Sequence, residues 1–451
     1  MKWRSFGLVW DLFFTGGFFQ HKKMKQLFSA LIQQKVLLFL AYSVVFMSFF
    51  LPNQVNSFVL ILFAFVALPF AIKNKESVLN KETIISLALF VILCIGLAYS
   101  ENKIEGLSIV ERSISLVVLP FLALSFREVS EKNKRLLLHV FILSAFSAGL
   151  FCLGNAFYSY FDTGTAYPSG QTGHFIYNRF MHHRLSSALG MHAIYLSFYC
   201  SFAAIAVFQK VLFEVDLKRV KLVLNLFLFL FFALLIFLLK SSLFAFIFAV
   251  SCALLVFVRL RKHLLEPKYA FLLCLTLGVT TLFAYEGVRS KLDSFDMSFK
   301  YEDETLRPLA MRIALWKSAW EVVQKQPFLG VGTGDGKDEL MLQYKEVNFK
   351  VAQQGSFNAH NMYLEYWVSN GAVMVTLFLL FIFLLFVKAI KHGNFLFFAF
   401  TLYFAFFSIT ESTLLKQKGI VFFVFFAFLF ITDPNCWKTS SRTIDEDTTS
   451  P

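Results

Sequence analysis

Apolar runs recur along the whole chain, separated by short polar or basic breaks. Twelve of them approach the length of about 20 residues that a helix needs to cross a hydrocarbon layer. Their approximate cores lie at 36–51, 55–72, 83–98, 107–126, 136–158, 188–208, 220–239, 242–258, 269–286, 371–390, 394–410 and 419–432. This pattern predicts an all-α integral membrane protein of about twelve transmembrane helices. Two polar stretches interrupt it, one from about Tyr160 to Leu185 and a longer one from about Gly287 to His360. The organisation expected is an N-terminal cytoplasmic or interfacial segment (1–35), nine spans (36–286) and a large, partly helical loop (287–361). Three further spans (362–433) and a tail (434–451) complete it.

Composition strengthens this reading. Only 16% of the residues are charged, against about a quarter in soluble proteins, and 61 of the 451 are phenylalanine. The basic residues before the first span lead into no small-residue cleavage site, so no cleaved signal peptide is expected. Cys94, Cys152, Cys200, Cys252 and Cys274 fall in or beside apolar runs and Cys436 in the tail, without metal or disulfide spacing. They read as small core residues.

Charge orients the bundle. Lys73, Lys75 and Lys81, then Arg127, Lys132, Lys134 and Arg135, then Lys210, Lys218, Arg219 and Lys221 fall on one side. Arg259, Arg261, Lys262, Lys388 and Lys391 join them, and Lys416 and Lys418 break the pattern. The rich side is expected to be cytoplasmic, with both termini, and the long loops periplasmic. The net charge of +13 then needs no nucleic-acid partner, because basic loops anchor to anionic membrane lipid.

The long loop holds most of the candidate chemistry. Apolar residues at Leu309, Ile313, Trp316, Trp320 and Val323 have helical spacing and predict an amphipathic helix on the membrane surface. Its Arg307 and Arg312 either meet lipid phosphates as an anchor or grip the diphosphate of a lipid-linked sugar, as guanidinium pairs well with phosphate. The run Pro327-Phe328-Leu329-Gly330-Val331-Gly332-Thr333-Gly334-Asp335-Gly336 lacks a preceding strand and a Lys-Ser/Thr pair. It is read as a tight turn towards the membrane and not as a nucleotide loop. Asn358-Ala359-His360-Asn361 then opens a helix, with Tyr363, Trp367 and Gly371 placed on the face of His360. His360 is either a proton acceptor beside an anion-binding helix N-terminus or an interfacial histidine bonded to its loop. The other outer segment offers His174, Arg179, His182, His183 and Arg184, then His192 and Tyr195. Arg184 is a second candidate for a phosphate grip, with interfacial snorkelling as the alternative. Glu111-Arg112, Lys240 and Glu411 near span ends read as structural ion pairs or parts of a polar cavity.

Taken together, Arg312-x-x-x-Trp316-x-x-Ala319, the Pro327-x-x-Gly330-x-Gly332-x-Gly334 turn and His360-Asn361-x9-Gly371 resemble the signature region of the O-antigen ligase/polymerase superfamily. Ser100-Glu101-Asn102 with Glu111-Arg112 and Pro120, His192-x-x-Tyr195-Leu196-Ser197, and Thr410-Glu411-Ser412 resemble its longer pattern. The resemblance implies about twelve spans, a large periplasmic loop and inner-membrane location. It implies metal-independent, cofactor-free transfer of glycan from an undecaprenyl-diphosphate-linked donor. The acceptor would be lipid A–core for a ligase, the favoured reading, or another lipid-linked glycan for a polymerase. It makes His360 the catalytic histidine and Arg312 one of two arginines, with Arg184 or Arg307 as the other. Asn361, Trp316, His192 and Tyr195 would line the substrate site. Where the family often has Ser-Arg or Ser-Lys, this chain reads Lys240-Ser241-Ser242, with the cation ahead of the serines. A transporter or flippase for a lipid-linked anion is the rival from another class, disfavoured because the spans carry little charge.

Overall fold

The structure is a computed structural model that describes residues 18–163, 180–214, 218–260, 301 and 308–438. All regular elements among these residues are helices. In chain order they are α1 (Phe18–Ser48), α2 (Asn53–Lys73), α3 (Lys81–Tyr99), α4 (Lys103–Ser113), α5 (Ser115–Ala123) and α6 (Glu131–Thr163). A short α7 (His182–Ser186) precedes α8 (Ala193–Phe213), α9 (Arg219–Leu238) and α10 (Ser242–Leu260). The long polar segment supplies α11 (Pro308–Lys325), α12 (Gly336–Glu346) and α13 (Lys350–Gln354). The last three are α14 (Met362–Lys391), α15 (Phe395–Thr410) and α16 (Gln417–Thr432).

Seven segments are long and apolar enough to cross a membrane, and four shorter apolar helices accompany them. Eleven of the twelve expected spans fall on these segments; the one at 269–286 lies outside the described residues, as do His174, Arg179, Arg307 and the acidic tail. Lipid gives apolar helices no hydrophobic reason to associate, so close packing must hold them together. Phenylalanine does this here. On α16 every residue from Gly419 to Ile431 is buried. Phe422 and Phe426 of α16 meet Phe141, Phe202 and Phe400 from three other helices and Phe49 in the turn after α1. By contrast α2 buries only Asn56, Phe63, Ala67 and Ala71 and forms an edge.

Two spans differ from their expected course. The fourth breaks into α4, α5 and a 3₁₀ turn over Leu124–Glu128. Pro120 has no N–H to give the Leu116 carbonyl, and Ser86 on α3 donates to that oxygen instead (2.6 Å). The tenth begins at Met362, where Asn361 is expected to open a helix, but it is interrupted at Gly371 (φ 72°, ψ −170°), the first residue of its apolar core. Its first turns carry Glu365, Ser369 and Asn370, which are buried but not apolar, and this hides them from a hydropathy reading.

The polar segment forms a second, smaller core on one end of the bundle. Ala314, Leu315, Ala319, Val322 and Val323 of α11 pack with Leu340, Tyr344, Phe349, Ala352 and Val368. The amphipathic helix was expected to rest its Leu309–Ile313–Trp316–Trp320–Val323 stripe on lipid, but Val323 is buried in this core. It has two apolar stripes, and the neighbouring one is covered by protein, which fixes α11 over the start of α14.

Candidate functional site

His360 is positioned by bonds to its backbone. Its N–H donates to Asn358 Oδ1 (3.1 Å), its carbonyl accepts from Trp316 Nε1 on α11 (3.5 Å), and its φ is +45°. It therefore stands ahead of α14 and not on the face of that helix. Asn361 caps the helix, its Oδ1 accepting from the Tyr363 and Leu364 N–H groups (3.0 and 3.1 Å). Those donors are the ones expected to receive an anion, and the cap occupies them. Tyr363 donates to the Ala405 carbonyl and Trp367 to that of Pro327, so both hold neighbouring segments.

Glu411, at the end of α15, faces the imidazole. Its Oε2 lies 3.4 Å from His360 Nδ1, which makes no hydrogen bond of good geometry among the described residues. Burial alone would raise the Glu411 carboxyl. The contact with His360 and the electrostatic influence of His360, His192 and Arg312 outweigh burial and hold it below its ordinary value. The two loops are joined beneath by Glu365, a buried carboxylate on the first turn of α14. Its Oε2 accepts from the Ala359 N–H (3.0 Å) and from Ser412 Oγ (3.2 Å), the residues adjacent to His360 and Glu411. Arg112 of α4 clamps the same region, donating to the Leu415 carbonyl (3.0 Å) and pairing with Glu105.

A cluster of three histidines, their rings packed edge to face, forms the other wall. The rings of His182 and His183 lie 3.9 Å apart and those of His183 and His192 3.7 Å. His183 Nδ1 accepts from the Ala193 N–H and His192 Nδ1 from that of Ile194, so both cap α8. Enclosure by protein, then the neighbouring histidines His192 and His182, push His183 down to about 4. Enclosure followed by the cations Lys240 and Arg312 lowers His182, and enclosure likewise leads in lowering His192.

Five chain segments thus converge. Arg312, half-buried on α11, acts electrostatically on Glu411, His192 and His182. Tyr195 is buried one turn into α8, its ring 5.2 Å from that of Phe407. Arg184 is exposed on α7, next to His183. Among the described residues no three His, Cys, Asp or Glu side chains converge as metal ligands. Glu411 was visible in the sequence as a polar residue at a span end. Glu365 was not singled out, since an acid in the first turn of a helix is ordinary and its partners lie at 359 and 412.

The glycine-rich turn is architectural. Val331 and Gly332 donate to the Val368 and Ser369 carbonyls (both 2.9 Å), and Thr333 to that of Leu93. Asp335 accepts from the Glu101 and Asn102 N–H groups (2.8 and 2.7 Å), while Ser100 Oγ accepts from Gly334 (2.9 Å). A Cβ on Gly334 would fall 2.0 Å from the Asn102 carbonyl oxygen. The turn rivets α11 and α12 to the end of α3 and to the break in α14.

The molecule is thus a multi-pass membrane protein with a polar site and a small folded cap at one end of its helices. Residues 226–379 match the family model described as O-antigen ligase, which bears out the resemblance read from the sequence. The chain carries an O-antigen ligase-type domain. Arg312, Trp316, the glycine turn, His360 and Gly371 lie inside the match; Arg184, His192 and Glu411 lie outside it. No curated protein matches the chain.

Proposed function

We propose that the protein is an inverting, metal-independent glycosyltransferase of the periplasmic face. It moves an O-antigen-like glycan from undecaprenyl diphosphate to lipid A–core. An O-antigen ligase/polymerase-type function follows from the family; the donor, the acceptor and the residue roles are our reading. The observation that supports it most is the pairing of His360 with an ionised Glu411 within the field of Arg312.

A sugar on lipid diphosphate already has a competent leaving group, so the site needs cations there and a base at the acceptor. Arg312, with Arg184 beside the histidine cluster, would stabilise charge growing on the departing diphosphate. Glu411 would hold His360 through Nδ1, leaving Nε2 to take the proton of the attacking hydroxyl. Attack opposite the leaving group inverts the anomeric centre. Asn361 and Trp316 would serve by fixing the backbone of His360.

The test uses purified protein in detergent, an undecaprenyl-diphosphate-linked glycan and lipid A–core, with EDTA present. Capped core should form with the wild type, and His360→Ala should lower its rate by about 10²–10⁴-fold. Arg312→Ala should be comparably impaired. Longer lipid-linked chains without capped core would mean polymerase. No transfer to either acceptor would sink the enzyme reading and favour a transporter.

A further inference from the structure

The turn between α11 and α12 presents its two largest apolar side chains outward. Phe328 is 75% exposed and Leu329 71%. The neighbouring backbone ties the turn to α3 and α14. The Pro327 carbonyl accepts from Trp367 Nε1 and the Ala372 N–H (both 2.9 Å), and that of Leu329 from the Tyr99 hydroxyl (2.7 Å). Gly330 and Val331 donate to the Gln326 and Val368 carbonyls (3.2 and 2.9 Å).

The depth of the turn follows from two helices. The Lys388–Glu82 ion pair (2.8 Å) joins α14 to α3 at the lysine-rich end. Seventeen residues separate Lys388 from Gly371 on one helix, and seventeen separate Glu82 from Tyr99 on the other. At about 1.5 Å per residue both lengths are about 26 Å, close to the hydrocarbon thickness of about 30 Å. Phe328 and Leu329 abut both upper points: a Cβ on Gly371 would fall 2.0 Å from the Phe328 carbonyl oxygen, and Tyr99 bonds Leu329. Exposed apolar side chains are also found on the helices that the turn joins, Ile95 and Tyr99 on α3 and Val373 on α14.

We propose that Phe328 and Leu329 form a hydrophobic foot, inserted among the acyl chains of the leaflet on the side of the site, and that bilayer lipid is its occupant. The foot itself does not depend on the transfer reaction.

Spin labels at Phe328→Cys, Leu329→Cys and, on exposed α12, Lys345→Cys test this in the full chain, in lipid nanodiscs, with Cys94 and Cys274 changed to Ala. Collision with oxygen, which partitions into lipid, is compared with collision with an aqueous nickel chelate. Oxygen should dominate at 328 and 329 and nickel at 345. Nickel dominance at 328 and 329 would overturn the proposal, as would protection from both reagents, which would mean a protein partner such as a second copy. Should the cysteine variants fail to fold, Leu329→Trp quenched by acyl-brominated lipid but not by iodide would support the same contact, and the reverse would refute it.

Discussion

At the scale of single residues, charge decides what the site can do. Glu411 is enclosed yet held in its ionised form by His360, His192 and Arg312. A carboxylate in that state keeps one imidazole orientation and stabilises the imidazolium that forms when the ring accepts a proton. Glu411→Gln keeps the shape and removes the charge, so kcat should fall by about 10²-fold with little change in KM. Steady-state kinetics in the EDTA-containing assay check this, and an unchanged kcat would remove Glu411 from the mechanism. His183 behaves in the opposite sense. With its proton affinity lowered to about 4, the unfolded chain binds the proton first as pH falls below about 6.5. Stability contributed by the neutral cluster is present above that pH and is lost between about 6.5 and 4. Thermal unfolding of the purified protein should show this loss, and His183→Gln should reduce the slope. His360 was legible because its motif is compact. Glu365 was illegible because both of its partners come from other loops, and spacing along the chain does not carry that information.

At the scale of elements, backbone approach dominates. The break in α14 has φ/ψ values open almost only to glycine, and a Cβ there would collide with the Phe328 carbonyl. Gly371→Ala should therefore destabilise by more than the roughly 1–3 kcal/mol typical of such strain alone. A lowered Tm would show it, with reduced transfer although Gly371 contacts none of the proposed reacting groups. An unaltered Tm would mean that the turn can move away. The turn chemistry of Pro327–Gly336 was readable from its glycines, and so was the helix that follows Asn361. The break inside α14 was not, since hydropathy recognises lipid-facing residues and overlooks Ser369 and Asn370, buried against a polar turn. The broken fourth span was hidden similarly: Pro120 signals a lost hydrogen bond, but the donor that replaces it, Ser86, lies on another helix.

At the scale of the whole molecule, the two ends of the bundle are chemically different. One end carries His360, Glu411, the histidine cluster and Arg312. The other carries Lys73 paired with Glu128, Lys134 with Asp433, and Lys388 with Glu82. Residues after α16 fold back onto this end, where Trp437 Nε1 donates to the Lys134 carbonyl and Asn394 to those of Pro434 and Cys436. One of the two lysines that break the orienting pattern has another task. Lys418 is buried and donates to the Phe49 and Leu51 carbonyls, closing the C-terminal end of α1, so it carries no weight in the count of interfacial charge. With it set aside, Lys416 alone of that pair still counts against the bias, and the basic end should face the cytoplasm and the site the periplasm. Membrane-impermeant thiol reagent applied to spheroplasts distinguishes the two arrangements, using Lys345→Cys near the site and Lys75→Cys at the opposite end in a Cys94→Ala, Cys274→Ala background. Position 345 should label from outside and position 75 only after the membrane is opened. If position 75 labelled first, the site would face the cytoplasm, and a reaction fed by a periplasmic lipid-linked glycan would be impossible as proposed.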